Sequence, residues 1–222
     1  MFNKRLTVFS GHYGSGKTNV AVNYANALAE RGEKVSIYDL DIVNPYFRTV
    51  DADKMLKEKG VDLIVSPFAE TNVDIPAMNA SSYKMLDKNF GKAVVDLGGD
   101  DRGALAMGRF CDRIKEENDY DMLLVVNVYR PETRDVDGII QIMREIERVA
   151  EISFTGIINN SNLGLETSAQ TVYNSIDTVT KLSQKTGLPV KFTCVRKGLK
   201  IEPEKIPNEI LPIDLIKYGS WL

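Results

Sequence analysis

Cysteine and histidine are scarce in this chain of 222 residues, which has two Cys and one His. Cys111 and Cys194 make neither a C-x-x-C pair nor a zinc spacing, so buried free thiols are expected. An iron–sulfur cluster shared across a dimer axis would require both to face that axis. No apolar run approaches the roughly 18 residues of a membrane span. The amino terminus, Met1-Phe2-Asn3-Lys4-Arg5, runs straight into an apolar segment without the layout of a secretory signal, so a cytoplasmic protein is expected. Neither sign of charge dominates: Lys and Arg number 28 against 31 Asp and Glu, a net charge of −3. That balance argues against a chain-wide nucleic-acid footprint. No low-complexity stretch, linker or fixed-period repeat divides the sequence, and one domain over 1–222 is expected.

What is present is an alternation. Apolar, β-branched runs near 5–10, 34–40, 61–66, 92–97, 121–129, 154–160 and 190–195 are separated by helical patterns near 17–31, 51–59, 76–89, 102–118, 134–151 and 166–186. Runs such as Met122-Leu123-Leu124-Val125-Val126 are apolar throughout, the mark of a strand buried on both faces and hence of a mostly parallel sheet. Right-handed crossovers then put helices on both faces, giving a doubly wound α/β fold. Ligands of such sheets sit at the carboxyl ends of the strands.

The first of those ends carries Gly11-His12-Tyr13-Gly14-Ser15-Gly16-Lys17-Thr18, which satisfies G-x-x-x-x-G-K-[ST] between an apolar strand and a helical pattern opening at Asn19. Glycines let successive backbone N–H groups turn inward around phosphate oxygens. Lys17 brings a point charge to the β/γ oxygens, Thr18 a hydroxyl for Mg²⁺, and the helix start a positive dipole end. A nucleoside triphosphate is the expected ligand.

Two further strand ends carry acids. Asp39 and Asp41 share one face at the end of the second strand. One can order Mg²⁺ through water while the other positions or deprotonates the attacking water. After the fourth strand, Asp96-Leu97-Gly98-Gly99 offers an acid for the Mg²⁺ shell and a glycine N–H that meets the γ-phosphate with no Cβ in the way.

Together, Ser10 to Thr18, Asp39-x-Asp41 with Pro45, Asp96-x-x-Gly99 and Pro131 to Asp137 resemble the MinD/ParA family of P-loop ATPases, over roughly residues 5 to 165. The resemblance implies ATP binding with Mg²⁺, slow hydrolysis, a nucleotide-dependent homodimer and control of an unidentified protein partner. It implies Lys17 and Thr18 as the phosphate and Mg²⁺ residues, Asp41 as the water-activating acid and Asp39 and Asp96 as Mg²⁺-shell acids. Asn159 matches the asparagine that reads the base. One position departs from the family: His12 stands where a signature lysine reaches across the dimer, and Tyr13 replaces a glycine. Weak intrinsic hydrolysis is expected, with any charge across an interface drawn from an arginine such as Arg48, Arg102 or Arg134.

The stretch Ile157 to Asn162 lacks the acid of a guanine-reading N-K-x-D, and an amide that both donates and accepts suits adenine. A second class is an ATP-dependent synthetase or kinase related to the dethiobiotin and cobyrinic acid synthetases, with Ser66 to Pro76 lining a substrate pocket. A DNA-positioning protein would need contacts that the charge balance does not advertise. The apolar carboxyl-terminal stretch Ile213 to Leu222 has a single lysine and a glycine, which favours a docked tail over membrane attachment.

Overall fold

The structure, a computed structural model, describes residues 3–40, 53–65, 82–99 and 101–216. Its strands are β1 (Leu6–Ser10), β2 (Val35–Leu40), β3 (Asp62–Val65), β4 (Lys92–Leu97), β5 (Tyr120–Val126), β6 (Gly156–Asn159), β7 (Val190–Arg196) and β8 (Glu209–Ile213). They form one sheet in the order β3-β2-β4-β1-β5-β6-β7-β8. Every pairing is parallel. This is the expected doubly wound architecture, with β1 at the centre.

The helices are α1 (Lys17–Ala29), α2 (Asp53–Glu58), α3 (Asp101–Gly108), α4 (Cys111–Glu117), α5 (Val136–Ala150) and α6 (Ala169–Thr186). Because strand side chains alternate, each strand supplies two cores. Phe9, Ile37, Val94, Leu123, Ile158 and Phe192 meet Val20, Tyr24 and Leu28 of α1 together with Leu56 of α2. On the opposite face Val8, Val95, Leu124 and Ile157 meet Met107, Ile114, Ile139, Met143 and Leu182 from α3 to α6. Fully burying an aliphatic or aromatic side chain of this kind contributes roughly 1.5–3 kcal/mol, so the two layers are the main source of stability. Cys111 and Cys194 are buried free thiols.

Three departures from the sequence expectation have local causes. The helix expected over 76–89 is, in its described part, two 3-10 turns, Ser82–Leu86 and Lys88–Phe90. Between them the Asp87 carboxylate accepts from the Asn89 N–H, a local bond that competes with α-helix. The expected helix 102–118 is split into α3 and α4. The break follows Gly108, which weakens a helix, and turns Phe110 into the core at 1% exposure. Strand β8 adds an element beyond the expected strands; Pro212 lies within it, and as a sheet edge it tolerates a residue that lacks an N–H. Among the described residues no helix is long and apolar enough to cross a membrane.

Candidate functional site

The loop from Gly11 to Gly16 joins the carboxyl end of the central strand to α1, with every strand aimed at the same rim. Gly16 caps α1 in the left-handed region at φ 86°, where a side chain would be strained. No side chain caps this helix and its first turn holds no acid, so its leading N–H groups and positive dipole end remain available to an anion. The loop closes on itself through Ser15 N–H to the His12 carbonyl at 3.1 Å. Lys17 is only 6% exposed, and among the described residues its ammonium donates one long hydrogen bond, to the His12 carbonyl at 3.5 Å. A buried cation so lightly bonded calls for an anionic counterpart.

The acids come from the register. Asp39 on β2 lies opposite Asp96 on β4, and register partners of a parallel ladder share a face. Both fall on the α1 side, in alternation with Ile37 and Val94. Asp96 is fully buried and Asp39 is 4% exposed. Thr18, in the first turn of α1, donates its hydroxyl to the Asp96 carboxylate at 2.5 Å. Two adjacent buried carboxylates and a hydroxyl form a hard-oxygen set of the kind Mg²⁺ prefers, and a divalent cation would relieve their mutual repulsion. Gly99 lies directly against the phosphate loop: a Cβ there would overlap the Gly11 carbonyl. The loops after β1 and β4 are therefore in backbone contact.

The loops after β5 and β6 flank the other side. Asn159 is 1% exposed, and its amide is spent inside the fold. It donates to Ser175 Oγ of α6 at 2.8 Å and accepts from the Ser161 N–H at 3.1 Å. The amide that reaches the phosphate loop belongs to Asn160, which donates to the Ser15 carbonyl at 2.7 Å. From the β5 loop, Arg130 Nε donates to the Gly14 carbonyl at 2.9 Å. Neither contact was anticipated, because sequence spacing carries no sign of which residues after β5 and β6 turn toward the loop after β1.

Asn127, 1% exposed, joins those two flanking loops. Its side-chain oxygen Oδ1 accepts from the N–H groups of Tyr129 at 3.1 Å and Asn162 at 3.3 Å, and its Nδ2 donates to the Asn162 backbone carbonyl at 3.1 Å. Asn127→Ala would strand three part-buried backbone groups, the Tyr129 N–H and the Asn162 N–H and carbonyl, each costing up to about 1–3 kcal/mol. A loss of roughly 2–4 kcal/mol in urea unfolding is expected, and a change below about 0.5 kcal/mol would refute this role.

Other anticipated residues stand apart. His12 Nδ1 lies 4.0 Å from Glu132. The Asn19 amide accepts from the Ile216 N–H at 3.0 Å, while Asn23 brackets Asp214, so the chain after β8 is docked along α1. Tyr13 is 63% exposed. Asp41, Pro45, Arg48, the stretch 66–76 and the terminal residues 217–222 lie outside the described residues, as does the side chain of Arg102. Among the described residues, no group of three or more His, Cys, Asp or Glu is placed to hold a metal.

Comparison with known proteins agrees with this geometry. No curated protein matches the chain. Among solved structures, FtsY from Mycoplasma mycoides superposes with a TM-score of 0.58 at 21% identity, covering 92% of this chain and 66% of that one. Chloroplast FtsY from Physcomitrella patens gives 0.61 at 16% identity, over 91% and 63%. The signal recognition particle 54 kDa protein of Aeropyrum pernix in complex with GDP gives 0.57 at 19%, over 86% and 41%. The chain spans less than two thirds of the length of each, and at these identities the likeness is one of fold. Residues 6–169 match the CobQ/CobB/MinD/ParA nucleotide binding domain. With that match covering most of the chain and the phosphate loop, the two buried acids and Gly99 gathered at one rim, this protein belongs to the CobQ/CobB/MinD/ParA family of P-loop nucleotide-binding domains.

Proposed function

We propose that this protein is an ATP-driven dimer switch, one domain over 1–222 that binds Mg²⁺ and ATP, hydrolyses slowly and controls a protein partner. The observation that carries the reading is the Thr18 hydroxyl bonded to the fully buried Asp96 at 2.5 Å, at the foot of the phosphate loop. Thr18, Asp39 and Asp96 would hold Mg²⁺, which when bound neutralises charge on the phosphate oxygens. Lys17 and the N–H groups from Gly11 to Asn19 bind the polyphosphate, Gly99 senses its terminal phosphate, and Asp41 orients the attacking water.

Base reading passes from Asn159 to Asn160. The Asn160 side-chain oxygen Oδ1 is buried and has no hydrogen-bond partner among the described residues, while the side-chain nitrogen Nδ2 donates to the Ser15 carbonyl. An acceptor in that position suits the exocyclic amine of adenine.

The dimer is supported by where apolar surface is left open. Among the described residues, Tyr13, Leu105, Leu163 and Leu165 are four of five large hydrophobics that stand exposed, and they follow β1, β4 and β6 in the chain. Exposed apolar residues gathered at one end of a sheet mark an interaction face. With ATP and Mg²⁺ the mass by light scattering should double, and ADP should return the monomer. Leu163→Asp combined with Leu165→Asp should keep ATP binding and lose the dimer. An unchanged mass at saturating ATP, with turnover appearing only on addition of a small substrate, would reject the switch in favour of a synthetase or kinase.

A further inference from the structure

Among the described residues, two side chains from other loops hydrogen-bond consecutive backbone carbonyls of the phosphate loop. Arg130 Nε bonds the Gly14 carbonyl at 2.9 Å, and Asn160 Nδ2 bonds the Ser15 carbonyl at 2.7 Å. A carbonyl and the following N–H belong to one planar unit and point in opposite directions. Holding the Ser15 carbonyl outward therefore turns the Gly16 N–H inward, toward the concave side where an anion would sit. Holding the Gly14 carbonyl outward turns the Ser15 N–H toward the His12 carbonyl, the bond that closes the loop at 3.1 Å.

Both side chains are delivered from anchored backbone. The Asn160 N–H donates to the Val126 carbonyl at 2.8 Å, and the Asn160 carbonyl accepts from the Asn162 amide at 2.6 Å. The Arg130 N–H donates to the Asn127 carbonyl at 3.2 Å, and its carbonyl accepts from the Thr133 N–H at 3.1 Å. A Cβ on Gly16 would overlap the Asn160 amide, and one on Gly14 would make a tight 3.2 Å contact with Arg130 Nε.

We propose that Arg130 and Asn160 are positioning residues that set the two peptide planes of the phosphate loop before nucleotide arrives, so that the anion nest is preformed. This inference rests on the polyphosphate-binding reading above. It adds to Asn160 a task independent of the base, and it assigns Arg130 a role in its own subunit.

The test separates these possibilities by using inorganic tripolyphosphate with Mg²⁺, which has no base, alongside ATP in calorimetry. Asn160→Ala should weaken tripolyphosphate binding roughly tenfold, the scale of leaving one buried hydrogen-bonding group unpaired, and ATP binding by at least that factor because ATP also loses its base contact. Arg130→Ala, at an exposed position, should weaken both by roughly threefold. Should Asn160→Ala fail to fold, Asn160→Asp keeps the shape and removes the donor. Its tripolyphosphate affinity should then recover relative to wild type as pH falls and the protonated acid donates again to the Ser15 carbonyl. Tripolyphosphate affinity unchanged in the folded variants, with ATP alone affected, would overturn the inference and leave Asn160 a base reader only. Wild type that takes up ATP but no tripolyphosphate would overturn it as well, since a preformed nest holds the anion alone. Wild type that takes up neither would overturn the polyphosphate-binding reading too. Uptake lost in Lys17→Ala but retained in both clamp variants would overturn the clamp alone.

Discussion

Lys17→Ala should reduce ATP affinity by roughly 100-fold or more while leaving the protein at least as stable as wild type. The affinity follows from burial. An ammonium 6% exposed, with one 3.5 Å hydrogen bond among the described residues, is already desolvated before the polyphosphate arrives. Its attraction to the β/γ oxygens therefore acts in a weak dielectric, where removing one such contact costs about 3 kcal/mol. Stability should move the other way, because alanine removes a buried charge that is poorly compensated without ligand. Calorimetry with ATP and thermal unfolding without ligand check the two halves. Undiminished ATP affinity in the variant would remove the basis for the entire site assignment.

Gly99→Ala should bring down ATP affinity by roughly tenfold or more, with a much smaller effect on ADP. A methyl at this position would overlap the Gly11 carbonyl, a contact of backbone against backbone that no side-chain rotation can relieve. Overpacking of this kind costs about 1–3 kcal/mol, and here the strain is released by moving the loop after β4 away from the phosphate loop. The Gly99 N–H is then too distant for a terminal phosphate, whereas ADP never used it. Titration with ATP and ADP gives the ratio of affinities. A ratio equal to wild type would mean that Gly99 only packs, and that the γ-phosphate is sensed elsewhere.

The parts of the site visible in the sequence are those whose spacing along one chain segment carries the chemistry. Gly11 to Thr18 is one such segment, since a loop, a lysine and a helix start must follow one another to enclose a phosphate. The acids at the ends of β2 and β4 were legible because strand periodicity places residues on faces. Their adjacency came from the register that pairs Asp39 with Asp96. Alternation along β6 puts Ile158 on the α1 side and Asn159 on the α6 side, where Ser175 takes its amide. The next residue, Asn160, turns back to the phosphate loop.

Composition, apolar runs and motif order by themselves determined the α/β class, the parallel sheet, the identity of the phosphate loop and the family. Each of those follows from local rules: burial of apolar runs, handed crossovers, and a loop that must precede its own helix. Tertiary structure alone decided strand order, the eighth strand at the edge, and which side chains support the loop. Those depend on contacts between segments far apart in the chain, Arg130 with Gly14 and Asn160 with Ser15, whose free energy comes from packing and no local propensity encodes.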